Sequence, residues 1–178
     1  MDYKSIDEIY AANLCFRETL GKTISVIALN EAKVRPADEK WSIEQIVEHI
    51  SIVDEGMSRI CGKLLAEAQK AGLKGGEVAI SEVFRNYTQN GEEIKLEAPE
   101  RVVPTGERGV DDSLTKLNEN LAAYENLRPI FLEFDGINPK FPHPFFGPLS
   151  AQDWLVMSGE HMKRHTRQIE KILNKIRQ

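Results

Sequence analysis

Apolar residues recur at threes and fours along four stretches of this 178-residue chain, and that spacing predicts four long helices. The first opens at Ser5, which stands three residues before Glu8 in capping-box spacing. It carries Ile6, Ile9, Tyr10, Leu14, Leu20, Ile24 and Ile27 to about Ala32, with Gly21 a point of irregularity. Pro36 then disfavours helix at Arg35. The second starts at Ser42, with Gln45 at the box position and Trp41 as a hydrophobic staple. Its stripe of Ile43, Ile46, Ile50, Val53, Met57, Ile60 and Leu64 lasts to about Ala71. The third runs from about Asp112 to Phe134 on Leu114, Leu117, Leu121, Tyr124, Leu127 and Phe131, and Pro129 should kink it. The fourth is capped by Ser150 and Asp153 and reaches nearly to Gln178.

Between these lie two irregular stretches. Residues 73–110 hold room for a short helix in "AISEVFRNYTQ" and an extended patch around Glu100 to Val103, and residues 135–149 are rich in Pro and Gly. No strand pattern is long enough to build a sheet. The expected architecture is all-α: a four-helix bundle with long crossover loops, forming one domain over residues 1–178.

Composition narrows the role. Hydrophobic residues at 41% and charged residues at 29% suit a water-soluble globular chain, and no apolar run is long enough to span a bilayer. The first residues, "MDYKSIDEIYAAN", lack the basic start and apolar centre of a signal peptide, so the expected location is the cytoplasm. A net charge of −5 argues against a nucleic-acid partner. The cations of the last helix, Lys163 to Arg177, suit a solvated face near a helix C-terminus. Cys15 and Cys61 have no CxxC spacing and fall within helical patterns, where a free cysteine usually acts as a small buried hydrophobe.

Candidate chemistry rests on three of the four histidines. At about 100° per residue, His161 and His165 lie only about 40° apart around the fourth helix, between Trp154 and Ile172 on its apolar stripe. Two imidazoles facing a core need partners, and hydrogen bonding within the core would satisfy them as well as a metal would. His49 falls beside the buried stripe of the second helix, about 40° from Val53, and Gly56 leaves room on the same side. Three inward histidines match the three-protein-ligand set of an open metal site. The sequence "HMKRH" is no zincin motif, because Met162 stands where HExxH has glutamate. Glu48 and Glu160 adjoin the histidines but point about 100° away, as solvated charges or supporting partners do. His143 either lines an entrance or bonds its own loop, the loop being the favoured role. Asn13, Arg17, Asn120 and Tyr124 are candidate pocket polars, and Trp41 and Trp154 candidate packing residues at helix starts.

The stretches "WSIEQIVEHI", "HPFFGPLSAQDW" and "EHMKRHTRQIEKI", in that order and spacing, resemble the DinB-like (DinB/YfiT-like) superfamily of metal-dependent enzymes, and the resemblance spans most of the chain. It implies a four-helix bundle with long crossovers and metal ligands at His49, His161 and His165. Some relatives transfer low-molecular-weight thiols such as bacillithiol to electrophiles, or use mycothiol in isomerisation; many have no known activity.

A divalent ion at three neutral imidazoles would lower the pKa of a thiol or water presented to it. Zinc or nickel is the favoured metal, with iron, manganese and copper also compatible. The expected substrate is a small molecule, with thiol transfer ahead of hydrolysis. Two further readings stay open, a metal-holding or ligand-holding stress protein without turnover and a structural bundle; a homodimer through an exposed helix face suits any of them. No catalytic residue beyond the ligands is assigned.

Overall fold

The computed structural model describes residues 3–75, 77–90 and 97–178. Six helices are α1 (Ile6–Ser25), α2 (Leu29–Lys33), α3 (Ile43–Lys70), α4 (Glu82–Asn90), α5 (Val110–Glu133) and α6 (Ala151–Arg177), and strands β1 (Lys140–His143) and β2 (Gly147–Ser150) precede the last. The four long helices α1, α3, α5 and α6 pack together as the bundle that the hydrophobic spacing predicts, with α6 lying on α1 and α3, and α5 on α3. None of the described helices is long and apolar enough to cross a membrane.

Local chemistry explains most of the boundaries. Ser5 Oγ accepts from Glu8 N–H at α1. The Ser42 and Gln45 pair closes a reciprocal box on α3, and Ser150 and Asp153 do the same on α6, each satisfying backbone donors that have no partner within the helix. Helix α5 runs on past Pro129 to Glu133.

Four expectations change. The first helix stops at Ser25 instead of reaching Ala32, because Ala28 turns extended (ψ 148°) and its N–H is taken by Glu31 Oε2 at 2.8 Å. Glu31 also pairs with Arg177 at 2.8 Å, so the break ties α2 to the end of α6. The irregular stretch before α6 contains an antiparallel hairpin with Lys140 opposite Ser150 and His143 opposite Gly147. Its prolines, which hide the strand pattern, face each other as Pro142 and Pro148 in a ribbon that, among the described residues, has no third strand to call for the N–H that proline lacks. The patch near Glu100 is a 3-10 turn, Glu100–Val102, where extended chain was expected. Cys15 is exposed, while Cys61 is buried as expected.

Apolar packing forms two clusters stacked along the bundle. One gathers Met57, Cys61 and Leu64 of α3 against Trp154 and Leu155; the other gathers Ile43, Ile46 and Ile50 against Met162, Ile169 and Ile172. A hydrogen-bonded polar layer crosses the bundle between them. Asp54, 2% exposed, accepts from Arg17 Nη2 at 3.0 Å and from Ser158 Oγ at 2.6 Å. Arg17 Nη1 donates to the Leu117 carbonyl, Asn120 to the Ser51 carbonyl, Tyr124 Oη to the Asp54 carbonyl and Asn13 Nδ2 to the Leu155 carbonyl. The four candidate pocket polars are therefore engaged with backbone and with Asp54. Asn13 reaches α6 because residue 159 is glycine: a Cβ there would lie 2.1 Å from Asn13 Oδ1.

Candidate metal centre

Helices α3 and α6 run antiparallel, with Asp54 beside Ser158, so His49 and the His161 and His165 pair meet on facing surfaces. His49 and His165 are buried and His161 is partly buried. One nitrogen from each ring lies within 4.8 Å of the other two. The rings stand 5.1 Å (His49–His161), 4.9 Å (His49–His165) and 4.4 Å (His161–His165) apart by centroid. Among the described residues no cysteine or carboxylate joins the three.

Hydrogen bonds decide which nitrogen two of the rings offer. His49 Nδ1 lies 2.7 Å from the Val102 carbonyl, which only accepts, so the proton is on Nδ1 and Nε2 keeps its lone pair. His165 Nδ1 faces Gln168 Oε1 at 2.8 Å, again a donor position. Its Nε2 receives Arg164 Nη2 at 2.6 Å and lies 3.1 Å from His161 Nε2. Two tetrahedral nitrogens on one ion at ~2.0–2.1 Å sit about 3.3 Å apart, so the His161–His165 separation already suits chelation. The fit of a divalent ion rests on these observations: three imidazoles in one small space, two of them with Nδ1 engaged as a donor and Nε2 facing inward.

Electrostatics agree. Burial, first, depresses the pKa of His49, and the nearby Arg164 cation adds to it. Burial likewise pushes His161 and His165 well below the usual imidazole value, reinforced for His161 by the other two rings and for His165 by Arg164 and His49. All three are neutral at pH 7, the state that binds metal.

The surroundings sort the remaining candidates. Trp41 does more than staple a helix start, for its ring lies 4.8 Å from that of His49. Open space lies above Gly56, where an added Cβ would meet nothing within 4 Å. His143 stacks on Phe146 (4.5 Å, 13°), abuts Trp154 at 5.2 Å and accepts from Phe145 N–H at 3.2 Å, so it serves its own hairpin. Burial and then Arg101 lower its pKa to about 4. Glu160 pairs with Lys163 at 3.3 Å. Glu48 is no solvated charge: it is 2% exposed and accepts from Thr105 and Gly106.

Sequence reasoning missed Val102, Gln168 and Arg164. Gln168 was findable, since a residue three beyond a helical histidine shares its face. Val102 acts through its backbone and leaves no side-chain signal.

A sequence profile of the DinB superfamily matches residues 16–169. The uncharacterized protein YuaE of Bacillus subtilis (strain 168) is 28% identical over 148 residues, covering 80% of this chain and 83% of that protein. No solved structure matches the chain.

Proposed function

Since the chain belongs to the DinB superfamily, we propose that it is a metal-dependent enzyme that holds a divalent ion at His49, His161 and His165 and transfers a low-molecular-weight thiol to an electrophile. The observation that carries this reading is the convergence of three neutral imidazoles within 4.8 Å inside the bundle. Zinc or nickel suits three nitrogen donors.

A bound ion would supply Lewis acidity, lowering the pKa of a thiol. The chain does the rest. The Val102 carbonyl and Gln168 hold two of the rings by their Nδ1 protons, which leaves Nε2 as the nitrogen each would present, and at His165 the Arg164 guanidinium would have to give way to an ion. Arg164 adds a positive charge beside His165, which favours the anionic form of a thiol brought there. The two neighbouring carboxylates are committed elsewhere, Glu48 to Thr105 and Gly106 and Glu160 to Lys163, so neither is held as a general base and deprotonation of the nucleophile would fall to the ion.

The test has two stages. Protein purified without an affinity tag should carry about one divalent ion per chain, and the His161→Ala, His165→Ala pair should carry none; full metal content in the pair would sink the three-histidine site. Metal-loaded protein is then incubated with several cellular thiols and a generic electrophile, with activated esters alongside. Metal-dependent consumption of thiol and electrophile together is expected. Turnover of esters alone would assign hydrolysis, and turnover of nothing would assign a binding protein.

A further inference from the structure

The metal-facing tautomer of His49 depends on a backbone carbonyl at Val102, 53 residues away in sequence and in the long crossover between α3 and α5. A carbonyl has no side chain of its own to fix it, so something else must hold that crossover in register. Glu48, the neighbour of His49 on α3, makes the contact. Its Oε1 accepts from Thr105 N–H at 3.1 Å and Thr105 Oγ1 at 2.8 Å, and its Oε2 accepts from Gly106 N–H at 2.8 Å. Gly106 takes φ 77°, a left-handed conformation that glycine adopts without strain and that other residues rarely take.

Between the two attachment points the chain has little freedom. Val103 is extended (φ −68°, ψ 130°) at the end of the 3-10 turn, and Pro104 is buried with its φ set by its ring. Residues 48 and 49 differ by about 100° around α3, so two successive side chains grip the strap at Val102 and at Thr105–Gly106. The grip on Thr105–Gly106 consists of three hydrogen bonds to a carboxylate, stronger than bonds between neutral groups.

We propose that Glu48 is a positioning residue for the metal centre: by clasping Thr105 and Gly106 it holds the Val102 carbonyl against His49 Nδ1, and so sets the tautomer and ring orientation that deliver Nε2 to the ion. The inference rests on the reading of the three histidines as ligands. Supporting partners of this kind are worth about 10–100-fold in metal affinity.

The experiment compares wild type, Glu48→Ala and the milder Thr105→Val, which removes one of the three bonds from the exposed loop side. Metal affinity is read by chelator competition, and the His49 tautomer by nitrogen-15 correlated NMR on chelator-treated protein. In wild type His49 should show the single Nδ1–H form. Glu48→Ala should give a mixture of forms and weaken metal binding about 10–100-fold, while Thr105→Val should shift both in the same direction by less. A Glu48→Ala protein that melts lower but keeps the wild-type tautomer and affinity would overturn the proposal, leaving Glu48 a purely structural anchor. Should Glu48→Ala fail to fold, an unchanged tautomer and affinity in Thr105→Val would overturn it equally. If wild type binds no metal, the proposed function fails, yet the tautomer measurement still decides whether Glu48 orients His49.

Discussion

Acid should unfold the chelator-treated protein early, and the buried histidines are the cause. The chain has four histidines, and all four have depressed pKa values through burial first: His49, His143, and most strongly His161 and His165. In the unfolded chain each titrates near ~6.5. Below that pH the unfolded state binds protons that the folded state refuses, so stability falls as pH falls and is restored as pH rises through about 6.5. For one histidine that stays neutral when folded, lowering the pH from 6 to 5 costs about 1.2 kcal/mol, and four such groups together cost up to about 5 kcal/mol. That is comparable to the whole stability of a small protein, roughly 5–15 kcal/mol. Glu31, held down to about 2 by Arg177, gives up its ion pair only at lower pH. The assay is urea unfolding at pH 7, 6 and 5 with chelator present, for wild type and for a His161→Gln, His165→Gln pair. The pair should lose only about half as much stability as wild type between pH 6 and 5. An equal loss in both proteins would refute the burial argument for these two rings.

Two further outcomes follow from particular contacts. Arg164 Nη2 occupies the Nε2 lone pair of His165 that a metal would take, so Arg164→Ala should bind divalent metal more tightly, about tenfold or ~1.4 kcal/mol in a chelator competition; weaker binding would show that the guanidinium supports the site. Asp54 anchors the polar layer through Arg17 and Ser158, so Asp54→Ala, which removes the carboxylate from the mostly buried guanidinium, should cost about 3–5 kcal/mol in urea unfolding, and a cost under ~1 kcal/mol would mean that water replaces the carboxylate.

Much of this protein was legible without coordinates. Capping boxes at Ser42 and Ser150 are local signals because their partners lie three residues away, and α3 and α6 begin where those boxes place them. The inward direction of His161 and His165 follows from helical period alone. What escaped the sequence involves partners far along the chain. Glu48 reads equally as a solvated charge or a supporting partner, and only the crossover, which lies over that face and buries it, decides between the two. Asn13 and Arg17 read as pocket polars because α1 shows only that they leave the apolar stripe; the layer around Asp54 that takes them up is built from four helices. Leu14 and Cys15 keep helical spacing but face water, since α1 is only partly covered by its neighbours.

The sequence by itself determined the four amphipathic helices, their caps and the presence of three imidazoles on inward faces, because each of those depends on residues within a turn or two of one another. Tertiary structure alone decided that the imidazoles share one space, which nitrogen each of His49 and His165 presents, and that Arg164 stands beside them. The physical reason is reach. A hydrogen bond from His49 Nδ1 to the Val102 carbonyl spans 53 residues of sequence and 2.7 Å of space, and only packing the crossover onto α3 converts the first distance into the second.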